Sequence, residues 1–202
     1  MLFLRYVQQL KEVGEDKMTN KAQQTLQQRN YKFIEDIAPE VLAGTATYIK
    51  FTAGESFMPL VIERTYDDTI AVYHHYTLNG DLVPDPDMTF KFDVVEKTLS
   101  ARSFQQGIPP IYQQVENDEK VNTSLERELN SFASMWFRNI KHQGYVRKVM
   151  NVPYRNDELE LHYDSGGKVV DFAGEVSLIE LYKKEHKFDV AKKIKKREEF
   201  ER

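Results

Sequence analysis

Between residues 46 and 105 the chain alternates hydrophobic and polar positions in short runs, and on both sides of that region the apolar residues return at helical spacing. Alternation places successive side chains on opposite faces of a pleated strand. Residues 46–52 alternate, Gly54-Glu55-Ser56 marks a turn, and 58–64 is rich in β-formers. Tyr66-Asp67-Asp68 turns again, and residues 69–78 run as a third strand. The pattern is cleanest over 88–95, where Met88, Phe90, Phe92 and Val94 fall on one face and Thr89, Lys91 and Asp93 on the other. Residues 99–105 predict a fifth strand. Links this short join antiparallel neighbours, because a parallel pair needs a long crossover.

Asn20 and Gln23 have the spacing of a capping box, in which the Asn oxygen accepts from first-turn N–H groups. They predict a helix over 21–36 with Leu26, Phe33, Ile34 and Ile37 on one side. Pro39 ends or restarts it, giving a short turn to Leu42 before Gly44. Thr123 and Glu126 repeat the capping spacing, and Leu125, Leu129, Phe132, Trp136 and Ile140 recur at steps of three and four. Residues 123–142 therefore predict a long amphipathic helix across the sheet, with Trp136 in the core and Gly144 as its stop. Further on, Leu159, Leu161 and Tyr163 alternate inward along 158–163, Asp164-Ser165-Gly166-Gly167 reads as a turn, and 168–172 returns as a strand. From Val176 the spacing becomes helical and ends in a basic stretch.

The expected fold is α+β: an antiparallel meander of four or five strands packed by one long amphipathic helix, with a C-terminal αβ extension. The divisions are an N-terminal helical segment (1–45), the sheet with its covering helix (46–144) and the extension (145–202). Residues 1–17 read equally as an additional helix or as an extension upstream of a start at Met18.

Composition narrows the function. Hydrophobic residues at 41% with 12% aromatics suit a packed core. The absence of cysteine excludes a disulfide framework, thiolate chemistry and zinc ribbons. No run approaches the length of a membrane span, and the opening residues lack a signal-peptide cleavage site, so a cytoplasmic location is expected. Residues Lys183 to Arg202 hold nine Lys/Arg against five Asp/Glu, so the formal charge of −4 divides into +4 for this tail and −8 for the first 182 residues. An acidic body is poorly suited to gripping duplex DNA and well suited to a basic partner surface.

The candidate chemistry concentrates between Tyr73 and Phe92, where an Asn-Gly turn, two prolines and acidic residues lie between aromatic-rich strands. On a strand His74 and His75 point to opposite faces, so they do not share a metal. His75 beside Tyr73 on the open face makes a polar–aromatic patch. Asp81, Asp85 and Asp87 have the oxygen chemistry of a calcium or magnesium site but not the EF-hand spacing. A loop held by Asp side chains, or a partner-binding loop, accounts for them more simply. His142 and His186 stand outside any metal-pair spacing, and Glu158, Glu160 and His162 share a strand face that reads as a solvated edge. No cofactor, catalytic residue or metal ligand is expected. In the tail, Lys192, Lys193, Lys195, Lys196 and Arg197 are the candidates for contacting nucleic-acid phosphates.

The run from His75 to Phe90, His-Tyr-x-Leu-Asn-Gly-Asp-Leu-x-x-Asp-Pro-x-Met-x-Phe, resembles the box of an uncharacterised bacterial domain family often encoded on conjugative elements, plasmids and prophages. Asn79, Gly80, Asp81, Asp85, Pro86 and Met88 match that pattern, with Asp87 in place of its usual glutamate, and the likeness extends over about 46–114. The resemblance implies an accessory protein of a mobile element. The expected function is therefore a non-enzymatic anti-defence inhibitor docking on a basic surface of a host nuclease such as a Cas9-type effector, through Tyr73, His75, Asn79, Asp81, Asp85 and Asp87. A nucleic-acid-binding accessory of conjugation or replication, using the basic tail, and a metal-dependent hydrolase are the alternatives.

Overall fold

The computed structural model describes residues 21–117 and 120–187. The Asn20 cap, residues 1–17 and the basic stretch Lys192–Arg197 lie outside the described residues. Helix α1 spans 21–37 and buries Tyr31 and Ile34. Pro39 opens α2 (Pro39–Ala43), where the first turn has no use for an N–H, and Gly44 closes it at φ 73°, in the left-handed region that glycine adopts without strain. Six strands follow: β1 (Tyr48–Thr52), β2 (Leu60–Tyr66), β3 (Thr69–Leu78), β4 (Asp81–Asp93), β5 (Thr98–Gln106) and β6 (Ile111–Gln114). After α3 (Thr123–His142) come β7 (Val146–Tyr154), β8 (Asp157–Tyr163), β9 (Val169–Ala173) and α4 (Val176–His186).

All nine strands form one antiparallel sheet in the order β6-β5-β4-β3-β2-β1-β7-β8-β9. The meander is thus larger than the expected four or five strands. Helix α3 carries the chain back over the sheet, and β7 pairs with the free side of β1, Tyr48 opposite Asn151. The C-terminal strands therefore continue the same sheet instead of forming an extension beside it. Two of the strands absent from the expectation have a physical disguise. β6 is four residues long and follows Pro109-Pro110, and β7 carries Pro153 and two basic residues. Pro153 lies beyond the last residue that β1 pairs, so its missing N–H breaks no ladder bond there.

The same rule explains β4, which starts at Asp81 and not at Met88. Its pairing with β5 begins only at Asp87–Gln105, so Pro84 and Pro86 sit where the outer side of β4 is unpaired. There β3 and β4 project beyond β5 as a two-stranded arm. Its Asn79-Gly80 tip has both residues at positive φ (55° and 94°), the conformation of a tight hairpin turn. Val94, expected to continue the strand face of Met88, Phe90 and Phe92, is instead 54% exposed in the β4–β5 turn, where the Asp93 carboxylate accepts from the Val95 and Glu96 N–H groups.

The core lies between one sheet face and the helices. Ile49, Ile62, Ile70, Val72, Met88, Phe90, Leu99, Leu159 and Leu161 are fully buried on that face. Helix α3 presents Leu129, Trp136, Phe137 and Ile140 to it, and its N-cap is Asn122, one residue before the expected Thr123, with Oδ1 accepting from Leu125 N–H. The covering helix is not alone, because α1 lies beside it. Gln27 meets Glu126 at 3.4 Å, Asn30 meets Asn130 at 3.0 Å, and the Phe33 and Phe137 rings stack at 4.5 Å. Numbers rise together along both helices, so they run parallel. Helix α4 closes the far end of the core with Leu178 and Ile179, and Tyr182 meets the Tyr154 ring edge-on at 5.8 Å.

Candidate functional site

Among the described residues the helices pack on one face of the sheet alone, and the opposite face is open. Strand parity decides what stands on it. Cross-strand partners share a face, so one row runs Ser103, Thr89, Ala71, Glu63, Tyr48, Asn151, Glu160 from β5 to β8. The next row runs Gln105, Asp87, Tyr73, Val61, Lys50, Val149, His162. Val61 and Ala71 are buried here although no helix covers them, because the larger side chains around them close over the sheet.

Tyr73 is the centre of the first cluster. Its hydroxyl donates to Glu63 Oε2 at 3.1 Å, and its ring stacks on His75 at 4.3 Å between centroids. His75 Nε2 in turn lies 3.4 Å from Asp87 Oδ2, each side chain being about a quarter exposed (26% and 26%). Burial pushes the Asp87 carboxyl above its ordinary pKa, with His75 pulling it back. Burial, then the Glu63 charge, pushes the Tyr73 hydroxyl strongly upward, so it stays a donor. Tyr48 moves the same way by burial, then by the Glu160 and Glu63 charges.

Across β1 the face is again rich in acceptors. Asn151 Nδ2 donates to Glu158 Oε2 at 2.9 Å, which leaves the buried Asn151 Oδ1 without a partner. His162 Nε2 lies 3.5 Å from Glu160 Oε1. Thr89 and Ser103 join their hydroxyls at 2.6 Å.

The structure thus brings Tyr73, His75 and Asp87 together and separates the other candidates from them. A bulge between Tyr73 and His75 absorbs Asp85-Pro86, and Asp85 lies where its charge acts on His74, on the helix side. His74 is buried, with Nδ1 bonded to the Pro59 carbonyl at 2.9 Å and its ring against Trp136 and Tyr145. Burial holds its pKa below the usual histidine value. Asn79 and Asp81 stand at the exposed arm tip beside Leu78 and Leu82. The arm is braced by the β5–β6 turn: Gly107 N–H donates to the Pro84 carbonyl at 2.9 Å, and a Cβ at Gly107 would collide with the Val83 side chain. Asp81, Asp85 and Asp87 therefore do not converge, and among the described residues no three His, Asp or Glu side chains are grouped to hold a metal ion.

Sequence reasoning missed Tyr48, Glu63 and Asn151. Strand parity was the available signal for Tyr48 and Glu63, since each stands on the polar side of its strand. Asn151 needed β7, which the sequence hid.

The fold and this face define a helix-backed antiparallel sheet whose free surface is a polar–aromatic platform. The chain belongs to the family described as Domain of unknown function (DUF6908), whose model matches residues 14–146. No curated protein and no solved structure matches it. The matched stretch contains the whole Glu63–Tyr73–His75–Asp87 cluster and stops as β7 begins. Among the described residues no helix is long and apolar enough to cross a membrane.

Proposed function

We propose that this chain is a non-enzymatic binding protein whose open sheet face docks on a basic surface of a protein partner. The observation that carries this reading is the excess of carboxylates over cations in those two rows, Glu63, Asp87 and Glu160 against Lys50, set among the Tyr48, Tyr73 and His75 rings. Arginine and lysine side chains of a partner supply the complementary charge, and their cations gain further from the aromatic faces. A carboxylate such as Asp87, already desolvated by its surroundings, has part of its dehydration cost met before a partner arrives.

A host defence nuclease such as a Cas9-type effector is the partner class we favour. Such proteins hold nucleic acid in a positively charged channel, and an acidic platform competes for it electrostatically. The resemblance of Asn79 to Met88 to a box of mobile-element proteins supports the same choice. The arm tip, with Asn79 and Asp81, extends the contact beyond the sheet edge.

The test is direct binding of the purified full chain to an immobilised Cas9-type effector without guide RNA, at low and at raised salt. Affinity that falls with salt, and drops by about tenfold or more in the Glu63→Lys/Asp87→Lys variant, is the expected result. Binding indifferent to both changes would falsify the proposal for this face.

A further inference from the structure

Away from the platform, the outer seam between α1 and α3 opens into a cleft of about 340 Å³. Its wall is apolar: Phe33 and Ile37 from α1 and Phe137 from α3, with the Phe33 and Phe137 rings stacked at 4.5 Å. Asn30 and Ser134, both buried, supply polar groups at its lining. Arg29, Arg138 and Lys141 stand around it, and none of the three forms an ion pair among the described residues. Lys32, which also borders the cleft, is already held by Glu35 at 3.0 Å and Asp36 at 2.8 Å.

The combination is unusual for this molecule. The first 182 residues carry a formal charge of −8, yet this cleft gathers four cations against the single carboxylate of Asp36. An apolar hollow with unpaired cations at its mouth is complementary to a small amphiphilic anion. The volume falls in the range of small-ligand clefts, about 300–1,000 Å³, and the seam between helices is a usual place for them. We propose that the α1–α3 cleft binds a small monocarboxylate with an apolar aliphatic or aryl body. The body lies along Phe33 and Phe137, and the carboxylate meets Arg138, Lys141 and Arg29. A guanidinium and an ammonium close together favour a carboxylate over a neutral head of the same size.

The inference is independent of the platform on the opposite face. It is tested on the full chain with 8-anilinonaphthalene-1-sulfonate as the fluorescent probe and with octanoate and octanol as competitors. The expected result is saturable binding at one site, displaced about tenfold more effectively by octanoate than by octanol. The Arg138→Glu/Lys141→Glu variant is expected to lose that preference while keeping the wild-type thermal melt, since both side chains are at the cleft's surface. Ser134→Leu, which fills the cleft from α3, is expected to abolish displaceable binding. Absence of saturable binding, equal displacement by octanoate and octanol, or an unchanged preference in the charge-reversed variant would overturn the proposal.

Discussion

The side-chain amide of Asn30 donates to the main-chain carbonyl of Asn130 at 3.0 Å, and Asn130 in turn accepts the Ala101 N–H at 2.9 Å. Two parallel helices and a sheet strand are thereby joined through two buried side chains, those of Asn30 and Asn130. The Ala101 N–H needs that acceptor because the β4–β5 register slips between Thr89 and Phe90, leaving Arg102 as the extra residue of a bulge. Asn130→Ala removes the acceptor and leaves a buried N–H bare, a loss expected to be about 1–3 kcal/mol. Asn30→Ala leaves the Asn130 carbonyl within its helix and is expected to cost less. Urea unfolding of the two variants checks the order.

Arg147 ties β7 to the first two helices. It donates to Glu40 Oε1 and Oε2 at 2.7 and 3.1 Å and to the Ile37 carbonyl at 3.1 Å. Lysine keeps the charge but not the planar fork, so Arg147→Lys is expected to lower stability by about 1–2 kcal/mol. A variant with the wild-type urea midpoint would show that the clamp adds nothing.

His74 gives stability a pH dependence of definite sign. Its folded pKa lies below the ordinary 6.5 through burial, opposed by the Pro59 carbonyl bond and the Asp85 charge, with His75 adding a lesser push downward. Between its folded pKa and 6.5 the unfolded chain binds the proton that the folded chain refuses. Its contribution is therefore complete above 6.5 and is lost as pH falls through that window. Urea midpoints at pH 5.5 and 7.5 should differ more for the wild type than for His74→Leu.

Asp87 has the opposite slope. Its folded pKa is raised above the ordinary 3.8, so the folded chain keeps a proton that the unfolded one has released. Stability falls as pH rises from 3.8 through the folded value and stays lower above it. Asp87→Asn is expected to raise the urea midpoint at pH 7 while weakening partner binding. A gain in stability at a site that loses function is the expected mark of a surface kept for recognition.

The platform and the arm tip are separable. If the platform carries the contact, Asp81→Ala at the tip should change partner affinity less than about threefold, and Tyr73→Ala should reduce it more than tenfold, as expected for an aromatic anchor. The reverse order in a binding titration would move the interface to the hairpin tip.

Much of the fold is legible in the residues. The alternation over 69–78 coincides with β3, and the apolar spacing that ends at Gly144 marks α3. The hidden strand positions share one cause. Pro84, Pro86 and Pro153 argue against strands locally, and only the length of the neighbouring strands makes those positions permissible. Nor does any local pattern tell that β7 returns to β1, because that pairing is a property of the whole sheet. For the platform, Tyr73 and His75 were visible as a same-face pair, whereas Glu63 and Tyr48 joined them through cross-strand register. Asn30 and Asn130 look like ordinary polar positions on helices, and their burial follows from the helix pairing.

The β1–β7 pairing makes β1 the oldest edge of the sheet during synthesis. When the ribosome has released residues up to Tyr145, strands β1 to β6 can already be in place with Tyr48–Thr52 still lacking a partner on one side. An open strand of this kind is a template for another chain. The last three strands thus act as an internal guard: they occupy that template before a second molecule does, and a chain stopped at residue 145 is expected to self-associate through β1.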